Sequence, residues 1–348
     1  MNALVLQGGG VKGAFQIGAY YALKHCRVKI HGFYGTSIGS FNAAMLCAGK
    51  DEELLNFWKN VDPGELFGFE KSMVDGINQE VFDKNFVVGT LTTLKNILFN
   101  RGINIDPLLN QIDKLLEEDE VLKSSYDYGL FTVKLKGFTA MPVYKSDIPK
   151  GKLKEYIMAS CYMPVFKTKK LIDDSIYIDG GFIDSCPVNM AIDKNYDNIY
   201  AIRINGIGLD QKIKESNANI ITINPSRPNG SVLELKHSLI IDNIKMGYYD
   251  TLRVLKGYDG FKYCFKKVPL FYLKWLVRKV PSRELKRICN FFNTDDIRDV
   301  IIHSLEYIME KESIDYYKVY RVSSILRKLR KLKKEHFIYD FVRKLRIL

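Results

Sequence analysis

The chain reads as an α/β fold, a mostly parallel sheet flanked by helices, followed by a helical C-terminal region. Three observations predict it. A short apolar strand, Ala3–Gln7, stops at glycines. A second, from about Val28 to Tyr34, stops at Gly35-Thr36-Ser37, and each strand is followed by a segment with helical periodicity. Strand-helix-strand-helix order implies parallel pairing with helices covering the sheet.

The elements follow from local pattern. Ala3-Leu4-Val5-Leu6 is a brief apolar run of the kind buried strands carry. Ala14–Lys24 places Phe15, Ala19, Ala22 and Leu23 at helical spacing, and Ile38, Phe41, Met45 and Ala48 mark another helix directly after Ser37. Asp106-Pro107 opens a helix to about Glu118, the aspartate as cap and the proline in the first turn. Further strands are expected at Leu130–Leu135, Ile176–Ile178, Ile199–Ile204 and Ile220–Ile223, and from Ser231 the pattern is almost wholly helical. Two prolines and a glycine near Asn224-Pro225 suggest a boundary, giving a domain 1–225 and a helical region 226–348 with a basic tail.

Composition narrows the class. Of 348 residues, 47% are hydrophobic and 12% aromatic, which excludes a disordered chain. No apolar run approaches the roughly 18 residues of a spanning helix, and no basic-then-apolar leader is expected at the N-terminus. Six scattered cysteines show no metal-ligand spacing and predict reduced, buried thiols in a cytoplasmic protein. The net charge is +12, yet Lys318–Leu348 alone holds eleven Lys/Arg against Glu335 and Asp340, or +9, leaving +3 elsewhere. The main body is near neutral and the tail is basic.

Chemistry concentrates in three glycine-bearing motifs. Gly8-Gly9-Gly10-Val11-Lys12-Gly13 lies between a strand and a helix. There, backbone N–H groups can face a negative charge with help from the helix dipole, the requirement of an oxyanion site. Lys12 adds a charge or is merely a surface residue at a helix start. The same loop matches the dinucleotide-binding fingerprint, but that motif needs an acid at the end of the second strand. Here the strand runs into Gly35-Thr36-Ser37 with no Asp or Glu. Gly35-x-Ser37-x-Gly39 is a nucleophile-elbow pattern, which would expose the Ser37 hydroxyl on a strained strand-to-helix turn. An isolated match is also what a plain serine helix cap looks like.

A serine needs a base. Of His25, His31, His237, His303 and His336, His237 is the best triad candidate by order, lying after an aspartate as in α/β-hydrolases. Asp179 is the stronger candidate. It ends a strand, as open α/β sheets require of site residues, and Gly180-Gly181 allow the turn that would present it.

With these motifs in order, the chain resembles the bacterial patatin-like phospholipases. The likeness rests on the three motifs, on Ala159-Ser160-Cys161-Tyr162-Met163-Pro164-Val165-Phe166 and on Cys186-Pro187-Val188, and spans roughly residues 3–205. It implies a patatin-like three-layer core and a lipid acyl hydrolase with a Ser-Asp dyad. Ser37 would be the nucleophile and Asp179 the proton acceptor. Gly8, Gly9, Gly10, Val11, Lys12 and Gly13 would form the oxyanion hole, with Gly35, Gly39, Gly180 and Gly181 as supports. No metal or organic cofactor is implied. Ser185 departs from the family, which often carries asparagine there. A nucleotide-binding module using Gly8–Gly13, or a catalytically silent scaffold, are the alternatives.

Access to lipid has three candidate segments. The irregular stretch Val61–Gly102, with Phe67, Phe69, Phe82, Phe86 and Leu91, is a lid over an acyl groove or ordinary packing on the sheet. Lys266–Lys279 flanks an apolar-aromatic centre with cations, as peripheral membrane segments do. The Lys318–Leu348 tail sets Val322, Ile325, Leu326, Leu329 and Leu332 beside dense charge. It suits an anionic membrane, or is a packed helix with a solvated basic face. No nucleic-acid motif accompanies that charge, so nucleic acid is not expected as a partner.

Overall fold

In β1 (Asn2–Leu6), Ala3 and Val5 alternate with Leu4 and Leu6, and all four are fully buried. A strand with both faces covered is central. In the computed structural model, β2 (Gly32–Thr36) pairs with β1 in parallel and β3 (Asp127–Lys134) with β2 in parallel. β4 (Thr139–Tyr144) and β5 (Tyr177–Asp179) run antiparallel to β3. β6 (Asn198–Ile202) returns to the other edge of β1 and β7 (Asn219–Ile223) extends it, both parallel. The spatial order is β4-β3-β2-β1-β6-β7, with β5 on β3. The described residues are 1–62, 106–162, 170–231 and 236–346.

Helices make the outer layers. α1 (Ala14–His25) and α2 (Ile38–Cys47) follow β1 and β2, and α2 packs on β1, β2 and β3. α3 (Asp51–Asn60), α4 (Asp106–Leu115), α5 (Glu118–Leu122) and α6 (Leu153–Ser160) follow. On the opposite face α7 (Val188–Asp193) buries Val188 and Met190 against Ala3, Val5, Tyr34, Phe131 and Ala201. The three layers are those of the predicted α/β class.

Chain contacts divide the molecule into two units, Met1–Tyr248 and Tyr249–Leu348, the division falling within α8 (His237–Lys256). The second unit is mainly helical, with α9 (Leu270–Val277), α10 (Ser282–Phe292), α11 (Ile297–Lys311), α12 (Val322–Leu329) and α13 (Phe337–Lys344). A small parallel pair, β8 (Cys264–Phe265) and β9 (Val319–Tyr320), was not expected in it. Val322, Ile325, Leu326 and Leu329 are buried in this unit's core. The tail therefore presents its cations, not its apolar stripe.

Three local expectations shift. Pairing of the second strand begins at Gly32, where the register Ala3↔Gly32 starts, and not at Val28. The helix from Asp106 ends at Leu115, and α5 restarts at Glu118 behind a Glu117–Glu120 capping box. Val61–Gly102, beyond its first two residues, lies outside the described residues, as do Met163–Phe166. Among the described residues no helix is long and apolar enough to cross a membrane.

α1 meets the first part of α8 at glycines. A Cβ on Gly18 would lie 1.9 Å from the Ile244 carbonyl oxygen, and one on Gly247 2.0 Å from that of Phe15. Gly18→Ala forces two helix backbones apart, and overpacking of this kind costs roughly 1–3 kcal/mol. The expected result is a melting temperature lowered by several degrees in a thermal scan.

Candidate active site

Sheet register brings the two distant motifs together. β2 ends at Thr36↔Phe131, and β5 takes up the same edge of β3 at the next position, Thr132↔Asp179. Ser37 leaves β2 at the point where Asp179 ends β5. The Ser37 hydroxyl lies near enough to the Asp179 carboxylate to hold its pKa down.

Ser37 sits at φ 55°, ψ −132°, a left-handed conformation that strains a side-chain-bearing residue. It occupies the N-cap position of α2 but makes no side-chain capping bond, so its hydroxyl is not spent on the helix. The sharp turn needs bare backbone: a Cβ on Gly35 or Gly39 would lie 2.3 Å from the Gly39 carbonyl or the Leu6 carbonyl oxygen, respectively. Ser160, buried at the end of α6, fixes the serine from behind. Its Oγ accepts from the Ser37 amide at 2.9 Å and donates to the Phe131 carbonyl at 2.7 Å. Ser160→Ala leaves both buried groups unpaired, at about 1–3 kcal/mol. We expect a lower melting temperature and kcat reduced about tenfold with KM little changed, measured on a soluble ester.

Asp179 is 8% exposed. Burial raises its pKa from 3.8 to about 6, while hydrogen bonds from the Ser37 hydroxyl and the Gly181 amide pull the other way. The Gly181 amide reaches Oδ1 at 2.8 Å. A Cβ on Gly180 would strike the Phe131 carbonyl oxygen at 2.1 Å, so the turn after Asp179 needs glycine. The carboxylate is thus poised to take a proton near neutral pH.

The first glycine motif forms a short 3₁₀ turn, Gly10–Gly13, beside Ser37. The Gly8 amide donates to the Ser185 carbonyl at 2.9 Å and the Lys12 amide to Gly9 at 3.3 Å. Among the described residues nothing accepts from the amides of Gly9, Gly10 or Val11. These three narrow the donors available to an oxyanion. Lys12 is not a surface residue: it is 6% exposed, and its ammonium donates to the Asn205 carbonyl at 2.7 Å.

A buried amide chain not foreseen from sequence holds this loop. Trp58 Nε1 donates to Asn42 Oδ1 at 3.0 Å, and Asn42 Nδ2 to Gln16 Oε1 at 2.8 Å and the Gly13 carbonyl at 3.1 Å. Gln16 Nε2 donates to the Gln7 carbonyl at 2.6 Å, and Gln7 Nε2 to Ser185 Oγ at 3.0 Å. Ser185, the departure from the family pattern, donates in turn to Asp210 at 2.7 Å. Spacing alone shows none of this, since the partners lie far apart along the chain.

The histidines are engaged elsewhere. His237 Nε2 pairs with the Lys59 carbonyl at 2.6 Å, His25 with the Tyr248 hydroxyl, and His31 with the Asn2 amide. His303 stacks on Phe261 and Phe292, and His336 caps α13. Two further groups lie near the site, neither given a role by the sequence. Cys161 reaches Ser37, but burial pushes its thiol well up and keeps it protonated. Asp184 is buried and its pKa rises to about 7, chiefly by desolvation, with Oδ1 unpartnered among the described residues. No group of three His, Cys, Asp or Glu suited to a metal occurs among the described residues.

A model of the patatin-like phospholipase family matches residues 4–192, more than half of the chain and all three motifs. The chain belongs to the patatin-like phospholipase family. It is similar to patatin-like phospholipase domain-containing protein 6 of Mus musculus, 27% identical over 210 residues, which are 58% of this chain and 13% of that protein. It is also similar to lysophospholipase nte1 of Aspergillus terreus, 24% identical over 205 residues, 59% of this chain and 12% of that one. This patatin-like chain therefore spans a small part of the length of those relatives. Among solved structures, VipD from Legionella pneumophila is similar over 98% of this chain and 83% of that one, with 14% identity and a TM-score of 0.46.

Proposed function

We propose that the protein is a lipid acyl hydrolase of phospholipase A or esterase type, acting through a Ser37–Asp179 dyad. The observation that carries this reading is the Ser37 hydroxyl, held on a strained elbow and brought by the sheet register beside a buried carboxylate whose pKa it lowers. Ser37 Oγ attacks the ester carbonyl as Asp179 accepts its proton. The oxyanion is received by the amides of Gly9, Gly10 and Val11. Asp179 returns the proton to the leaving alcohol, and an acyl-serine remains. Water, deprotonated by Asp179, then releases the fatty acid and restores Ser37. The step calls on no group beyond substrate, water and these residues.

In this reading the chemistry belongs to residues 1–225, and the cations of Lys266–Lys279 and Lys318–Leu348 serve an anionic membrane surface from the cytoplasm. A fluorophosphonate probe tests the central part, because only an activated serine reacts. Labelling at Ser37 is expected. An unlabelled but folded chain would leave the scaffold or nucleotide-binding alternatives.

A further inference from the structure

Exposed apolar side chains on the first unit are unevenly placed. Among its described residues eight large ones are exposed, and five stand at the carboxyl end of the sheet, where Ser37 and Asp179 lie. These are Ile207 at 75% exposure, Leu209 at 65%, Phe182, and, on the β3–β4 turn, Leu135 and Phe138. A sixth, Ile213, follows on the same loop, whose neighbouring Lys212 carbonyl and Lys214 amide are held by Asn189. Scattered apolar exposure is ordinary, but a cluster at one rim marks an interaction surface.

The loop between β6 and β7 that carries Ile207 and Leu209 is not slack. The Asn205 carbonyl accepts from Lys12, and the Ile204 amide donates to Gln7 Oε1 at 2.7 Å. The Leu209 amide donates to the Gly181 carbonyl at 2.9 Å, and its carbonyl accepts from the Ser185 amide at 2.6 Å. One end is thus pinned to the glycine loop and the other to the turn behind Asp179. Its backbone is bonded inward while its two aliphatic side chains are held out in water.

We infer that the segment Asn205–Ile213, with Phe182 and the β3–β4 turn, is a docking surface that enters the hydrocarbon of a lipid layer and brings Ser37 to its substrate. This rests on reading the site as one for lipid esters. The occupant follows from position: an acyl ester that reaches Ser37 from a lipid layer must cross this rim, and aliphatic and aromatic side chains match acyl chains. The loop offers hydrocarbon, whereas the C-terminal tail offers charge. The two modes therefore differ in salt dependence.

The test uses the full chain carrying Ser37→Ala, so that binding is read without hydrolysis. With vesicles of zwitterionic phosphatidylcholine, an Ile207→Trp version should show a blue shift over the parent's emission and quenching by brominated acyl chains. Leu209→Asp should weaken vesicle co-sedimentation by roughly tenfold or more, independently of salt, since a buried aliphatic side chain contributes at least that much. An Ile207→Trp emission unmoved by vesicles would overturn the inference. So would binding confined to anionic phosphatidylglycerol vesicles, abolished by salt and untouched by Leu209→Asp. Hydrolysis of a soluble short-chain ester by the unaltered chain, measured alongside, judges the reading of the site separately from the docking surface.

Discussion

Replacing Asp179 with asparagine should remove about 10⁴-fold of ester hydrolysis, by analogy with the loss of a catalytic-triad member, and at the same time raise the melting temperature at pH 8. The two effects have one cause. Folding moves this carboxyl from 3.8 to about 6, so the native state binds the proton more tightly than the unfolded chain. Stability contributed by the protonated form is present below about pH 4 and is lost as pH rises to about 6. At pH 8 the buried carboxylate costs up to roughly 3 kcal/mol, which an uncharged amide of the same shape avoids. The stabilisation should therefore shrink to nothing near pH 4. Asp184 adds pH dependence of the same sign, but it is common to both proteins and cancels. Calorimetric scans of the two proteins at pH 4 and pH 8 check the prediction. A variant less stable at pH 8 would refute the account of Asp179 as a buried, desolvated base.

Ser37→Ala is expected to abolish hydrolysis to a similar degree, about 10⁴-fold, while His237→Ala leaves it within a factor of about two. The contrast is sharp because His237 is occupied by the Lys59 carbonyl. Ser37→Ala also removes one of the two hydrogen bonds that hold the Asp179 pKa down, so the carboxyl should titrate still higher in that variant. Initial rates on a soluble ester distinguish the variants. Loss of activity in His237→Ala with retention in Asp179→Asn would replace the dyad by a histidine mechanism.

The sequence carries the site's local geometry well. Gly35, Gly39 and Gly180 each stand where a side chain would collide with backbone, which is why glycine spacing identified them. What brings Ser37 to Asp179 was not legible, because it depends on β5 continuing the edge that β2 vacates along β3. No local periodicity encodes such a register. β4 escaped notice for a related reason: Thr139–Tyr144 is mostly half-exposed and contains Pro142, the mark of an edge strand. Val28–Ile30 misled in the opposite sense, its apolar character suggesting a strand where no pairing partner exists until Gly32. Ser160 was visible only as part of a resembling motif, and its hold on the Ser37 amide required coordinates. The chain from Trp58 through Asn42 and Gln16 to Gln7 gave no signal at all, since isolated amides are neutral in pattern.

The most direct measurement is the rate of fluorophosphonate labelling at Ser37 across pH 4 to 9, in the parent chain and in Asp179→Asn. A deprotonated Asp179 activating the serine predicts a rate that climbs through an apparent pKa near 6 and then levels. In Asp179→Asn the rate should be slow and flat. Labelling that ignores pH, or proceeds unchanged in the asparagine variant, would contradict the dyad.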